Sequence, residues 1–288
     1  MDVPEFTLLL PVGISFYTFQ AVGYTVDVYR GTLRAERSLL TYALFVAFFP
    51  QLVAGPIERA KNLIPQFHRE HKLDGQEIME GLKLMTWGFF MKLCIADNVA
   101  PYVNAVYNNI DMHNGTSVWL ATFFFTFQIF CDFGGYSLIA IGTARCLGFT
   151  LMHNFMRPYL ARDVKDFWRR WHISLSSWFA DYVYIPLGGS RCTTARHQRN
   201  LLVTFVVSGL WHGANMTFVV WGAYHGMLQV ILSLKRKICP RRLSIGRFGV
   251  VLSMVLTFVA TMIGWVFFRA NSVADAWTAL SKMMHPGG

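Results

Sequence analysis

Residues 200 to 234, NLLVTFVVSGLWHGANMTFVVWGAYHGMLQVILSL, contain no aspartate, glutamate, lysine or arginine, yet they carry histidines at 212 and 225. A stretch of this kind restricts the chain to folds whose solvent is partly lipid. Further apolar runs occupy 7 to 26, 81 to 103, 117 to 144 and 248 to 268. Each approaches or exceeds the roughly 20 residues a helix needs to cross a bilayer. Charged residues make up 15% of the chain, against about 25% in soluble domains. The pattern predicts an all-α, polytopic membrane protein and excludes a water-soluble globule.

The net charge of +10 would suggest nucleic acid in a soluble protein. In a membrane protein it reads instead as basic loops held on the cytoplasmic side, so no nucleic-acid partner is expected. Cysteines 94, 131, 146, 192 and 239 are scattered, with neither CxxC nor metal-ligand spacing. They suggest no disulfide framework and no metal site.

Basic residues cluster at 30 to 37, 59 to 72, 157 to 170, 191 to 199 and 235 to 247, whereas 104 to 115 has none. The positive-inside rule places the five clusters in the cytoplasm and that loop outside. Residues 38 to 57 then start and finish on one side, and Pro50 and Gly55-Pro56 break any helix there. A segment that enters and turns back is expected, with protein or a watery cavity meeting its backbone. Residues 200 to 234 lie between basic clusters too and are short for two full crossings. A helical pair broken near Gly209 and Gly213 puts His212 about 12 residues from the edge, roughly 18 Å along a helix. That passes the middle of a hydrocarbon core about 30 Å thick, and an ionisable side chain there points to function. His225, without a break beside it, reads as structural. The N-terminus falls outside, with no signal peptide, which predicts a chain lacking its first helices.

Residues 166 to 190, DFWRRWHISLSSWFADYVYIPLGGS, crowd tryptophans, arginines and a further histidine into one stretch. If 163 to 179 is helical, Trp168, Trp171 and His172 share a face and Asp166 pairs with Arg170 at i,i+4. Arg169 and Arg170 are then either snorkelling cations or a phosphate-binding mouth. Asp132, inside the run 117 to 144, requires a partner, a cation or a histidine ring.

Four ordered blocks, FFPQLVAGPIER (48 to 59), FQIFCDFGGYS (127 to 137), DFWRRWHISLSSWFADYVYIPLGGSR (166 to 191) and GLWHGANMTFVVWGAYHG (209 to 226), resemble the signature blocks of the membrane-bound O-acyltransferase family. Its alginate O-acetylating branch looks most similar, with the peptidoglycan O-acetylating and teichoic-acid D-alanylating branches nearby. The resemblance implies one domain over 1 to 288, incomplete at its N-terminus, built as a helical ring with re-entrant segments around a central tunnel. It implies His212 as the main catalytic residue and His172 as the second. Arg169, Arg170, Trp171, Trp211 and Asp132 are then candidate substrate-binding residues. No bound cofactor is implied. The donor would be acetyl-CoA or an acyl carrier thioester, and the acceptor a cell-envelope or secreted polysaccharide. An exported acetyltransferase partner is expected, in a bacterial inner membrane. A transporter, which also uses broken helices and intramembrane Asp and His, and a non-catalytic membrane scaffold are the competing readings. The halves show no internal repeat that would favour transport.

Overall fold

A computed structural model describes residues 13–52, 54–238 and 246–285. Among the described residues the regular structure is entirely helical. In chain order the α-helices are α1 (Ile14–Tyr29), α2 (Leu39–Ala47), α3 (Ala60–Phe67), α4 (Gly75–Phe89), α5 (Asp97–Asn108) and α6 (Gly115–Cys146). There follow α7 (Val164–Trp168), α8 (Ile173–Phe179), α9 (Thr194–His212), α10 (Met216–Ile238), α11 (Arg247–Arg269) and α12 (Val273–Met284). Residues 7–12 of the first apolar run lie outside the described residues. Helices α6, α10 and α11 are each long and apolar enough to cross a membrane.

The chain forms two compact units, Met1–Thr86 with Tyr136–Met152, and Trp87–Gly135 with His153–Gly288. In the first, Ser38 caps α2 by accepting from the Thr41 amide. The helix stops after nine residues, with Phe48 extended two positions before Pro50. Nine residues span about 14 Å, roughly half the hydrocarbon core. This is the broken segment that Pro50 and Gly55-Pro56 announce. Buried side chains of this segment hydrogen-bond backbone groups within it and beyond it. Gln51 donates to the Phe45 carbonyl at 3.4 Å, and the buried Glu58 carboxylate accepts from the Met152 amide. Phe48, Phe67 and Phe149 pack ring to ring, with centroids 5.0 to 5.6 Å apart.

The second unit surrounds an aromatic core that includes Phe167, Trp171, Trp221 and Trp265. Here one expectation is corrected. Residues 163 to 179 are not one helix: α7 ends at Trp168, and α8 starts at Ile173 after a turn. His172 takes the left-handed conformation, φ 43° and ψ 55°, which is unfavourable for a side chain of this size. Asn154 holds the turn from outside. Its carbonyl accepts from the Ile173 amide at 2.9 Å, and its side-chain oxygen accepts from the Ser174 hydroxyl at 2.6 Å. Trp168, Trp171 and His172 therefore do not share a face. Trp168 packs on Phe205 and Trp221, Trp171 on Phe155 and Trp265, and His172 on Phe133. The Asp166–Arg170 pair does form, at 2.9 Å.

Residues 200 to 234 give the helical pair that Gly209 and Gly213 announce, broken at 213–215. The helices are longer than the uncharged stretch. Helix α9 starts within the basic residues at Thr194, and α10 continues through Lys235, Arg236 and Lys237. At 23 residues, α10 alone reaches about 34 Å. The two helices nearly touch. A Cβ on Gly209 would lie 2.2 Å from the Phe218 carbonyl oxygen, and one on Gly222 would lie 2.3 Å from that of Phe205.

Candidate active site

His212 is the last residue of α9, so its ring stands where the helix stops. Four aromatic rings surround it: Trp211 at 4.7 Å, Trp221 and Phe268 each at 5.1 Å, and Phe218 at 6.1 Å. His172, buried at the start of α8, lies within electrostatic range of His212. The two histidines are 40 positions apart in sequence (212 − 172). An aromatic wall links their surroundings: Trp171 contacts Trp265 at 4.9 Å, Trp265 stacks on Trp221 at 6.1 Å, and Trp221 reaches His212. The arrangement offers two imidazoles, groups able to take or give a proton near neutral pH, in largely apolar surroundings.

A cavity of about 600 Å³ runs beside α9 and α10. Along α9 it is lined by His197, Leu201, Thr204, Phe205 and Ser208. These residues recur at spacings of three and four and so form one helix face. Four residues beyond Ser208 on that face comes His212, about 6 Å further along the axis. Lys165, Arg169 and Arg236 also line the cavity, with Trp168 and Gln229. Lys165 and Arg169 are exposed. Partial burial, reinforced by the neighbouring Arg169 and Arg236, holds the Lys165 ammonium below its usual range. The three cations concentrate positive charge at this part of the cavity. The Asp163 carboxylate, which caps α7, anchors Arg236 at 2.7 Å.

The sequence-predicted residues separate into groups. His172 lies within electrostatic range of His212, Trp211 packs on the His212 ring, and Arg169 lines the cavity. Arg170 is committed elsewhere, to Asp166. Burial would raise the Asp166 carboxyl, but hydrogen bonds from Arg170 and the Arg162 amide hold it below its usual range. Trp171 is 4% exposed and belongs to the core beside His172. Asp132 has the partner that its position demanded, and it is a cation: Lys92 at 2.6 Å, which also reaches Asp97 at 2.8 Å. It is Asp132's neighbour Phe133 that meets the His172 ring, at 4.6 Å. His225 is 1% exposed and enclosed by Phe167, Trp168, Trp221 and Trp265, and both its ring nitrogens are buried without a hydrogen-bond partner among the described residues.

Lys165, Arg236, Phe218, Trp221 and Phe268 were not singled out from sequence. Lys165 precedes Arg169 by four residues, a signal that was available. Phe268 carried none, because only tertiary packing brings it to His212.

Asn154 is a further such residue, 1% exposed. Asn154→Ala leaves the buried Ser174 hydroxyl without its acceptor, which costs about 1–3 kcal/mol. The expected result is a lower unfolding temperature, while Asn154→Asp, which keeps the acceptor oxygen, loses less.

The sequence model of MBOAT, the membrane-bound O-acyltransferase family, matches residues 33–273. The chain is 44% identical to the probable alginate O-acetylase AlgI of Azotobacter vinelandii, over 97% of this chain and 55% of that protein. It is 35% identical to the peptidoglycan O-acetyltransferase of Helicobacter pylori, over 98% of this chain and 58% of that one. Against the teichoic acid D-alanyltransferase of Bacillus subtilis the identity is 27%, over 93% and 71%. The chain spans about half the length of the alginate and peptidoglycan relatives it matches.

Proposed function

The chain belongs to the membrane-bound O-acyltransferase family, and we propose that it moves an acetyl group from a cytoplasmic thioester toward hydroxyls of a cell-envelope or secreted polysaccharide. The observation that carries this reading is a cavity lined by three cations and, along one face of α9, by residues as far as Ser208, one helical turn before His212. A donor of this class, acetyl-CoA or an acyl carrier's phosphopantetheine, has an anionic phosphate end and a slender arm ending in the thioester. Its phosphates would sit at Lys165, Arg169 and Arg236, on the basic and therefore cytoplasmic side. Its arm would follow α9 past Ser208.

At the far end, His212 acts as general base on the acceptor hydroxyl. The oxygen attacks the thioester carbonyl, its proton passes to the imidazole, the C–S bond breaks, and the departing sulfur takes the proton back. His172 orients the donor or stabilises the oxyanion that forms on the carbonyl. Direct transfer of this kind needs no acyl-enzyme. The names of the alginate and peptidoglycan relatives support acetyl as the group and a glycan as its destination. An exported acetyltransferase is the expected partner, and a bacterial inner membrane the expected location.

The test is transfer of label from acetyl-CoA or an acetylated carrier in membranes containing the chain. Label that never leaves the thioester overturns the reading. The double variant Arg169→Gln/Arg236→Gln is expected to raise the donor KM by about tenfold, since charged hydrogen bonds contribute about 1.5–3 kcal/mol when sheltered and less when exposed. Its kcat should change little, because these cations bind the ground and transition states alike.

A further inference from the structure

The rings around His212 leave little room for the acyl chain itself. Phe268 sits at the centre of that wall. Its ring contacts His212 and Phe218 at 5.1 Å, Trp221 at 5.4 Å and Trp265 at 5.5 Å. Trp221 and Trp265 are each 1% exposed, so Phe268 has packed side chains behind it. Phe218 is held from the other side, where a Cβ on Gly213 would come within 2.8 Å of its ring. On the side of the cavity, the lining residue of α9 nearest His212 is the small Ser208.

We infer that Phe268, backed by Trp265 and flanked by Phe218, sets the acyl length the enzyme accepts, admitting two carbons and excluding longer chains. The inference rests on the reading of His212 as general base. A thioester carbonyl attacked beside the His212 imidazole must direct the rest of its acyl chain into this wall. Interiors are close-packed, so each further methylene has to displace a ring. An apolar pocket discriminates one methylene by about 10–200-fold. Removing the Phe268 ring opens the end of the wall while leaving His212, His172 and the cations in place.

The experiment compares acetyl-, propionyl- and butyryl-CoA, and the matching acyl-pantetheines, as donors to the full chain in membranes. The readout is the ratio of kcat/KM for acetyl and butyryl donors within one preparation, which cancels differences in the folded fraction. The parent should prefer acetyl over butyryl by about 100-fold or more. Phe268→Ala should reduce that ratio by about tenfold or more, and Phe268→Leu, which keeps an apolar side chain in place, by less. Acetyl transfer with the same ratio in the parent and both variants overturns this inference alone. Transfer from none of the donors in the parent overturns the acyltransferase reading together with it.

Discussion

His212→Ala is expected to lower acetyl transfer by about a thousandfold, within the 10²–10⁴ that a positioned general base contributes. The loss should fall on kcat. The cations that would hold the donor are at the opposite end of the cavity, so donor KM should stay within about threefold of the parent. Folding should survive, because His212 is the final residue of α9 and its ring is only partly buried. His212→Gln makes the stricter comparison, since it keeps polar volume inside the aromatic collar but offers no base near neutral pH. Both variants should unfold within a few degrees of the parent. Label transfer by His212→Gln at more than a third of the parental rate would sink the mechanism and return His212 to a packing role. His172→Ala separates the two histidines. If His172 stabilises the oxyanion, its removal lowers kcat by about 10²–10³; if it orients the donor, donor KM rises as well.

Much of this site was legible in the sequence because its decisive signals are local. The helix break after His212 shows in Gly209 and Gly213 within an uncharged run, and that of 38 to 57 in its prolines. The Asp166–Arg170 pair follows from spacing. The turn at 169–172 was not legible. It contains neither glycine nor proline, and the left-handed residue is a histidine held in place by Asn154 from an earlier segment. Local periodicity favours a continuous helix there, and tertiary hydrogen bonding overrides it. The basic lining of the cavity was half legible. Arg169 belongs to the cluster at 157 to 170 and Arg236 to that at 235 to 247, and only the packing of α7 on α10 joins them. Asp132 called for a partner, but Lys92 lies in a π-helical segment, Phe90–Ala96. The wider turn of such a segment shifts the register on which any helical spacing argument depends. Phe268 arrives on another helix altogether.

Gly222→Val should be the most damaging substitution away from the histidines, and the reason is the closeness of α9 to α10. A Cβ at 222 would stand 2.3 Å from the Phe205 carbonyl oxygen, 3.0 Å from its carbonyl carbon and 3.2 Å from the Val206 Cα. These are backbone atoms of a helix and cannot rotate aside, so the helices must separate. Two effects compete even for alanine. Helix propensity favours alanine over glycine by about 1 kcal/mol, whereas overpacking costs about 1–3 kcal/mol and sometimes more. With a contact this short the clash wins, and Gly222→Ala should be modestly destabilising. Valine adds two further atoms against the same wall and should prevent recovery of folded protein or lower its unfolding temperature by many degrees. Gly75→Ala is the control, because a Cβ there meets nothing within 4 Å; it should be neutral or slightly stabilising. Activity should fall further than stability in Gly222→Ala. Trp221, next along the chain, touches both His212 and Phe268, and a displacement of about 1 Å near reacting groups can cost about 100-fold. If Gly222→Ala unfolds and transfers label as the parent does, the close helix contact is not what positions His212, and the break alone must suffice.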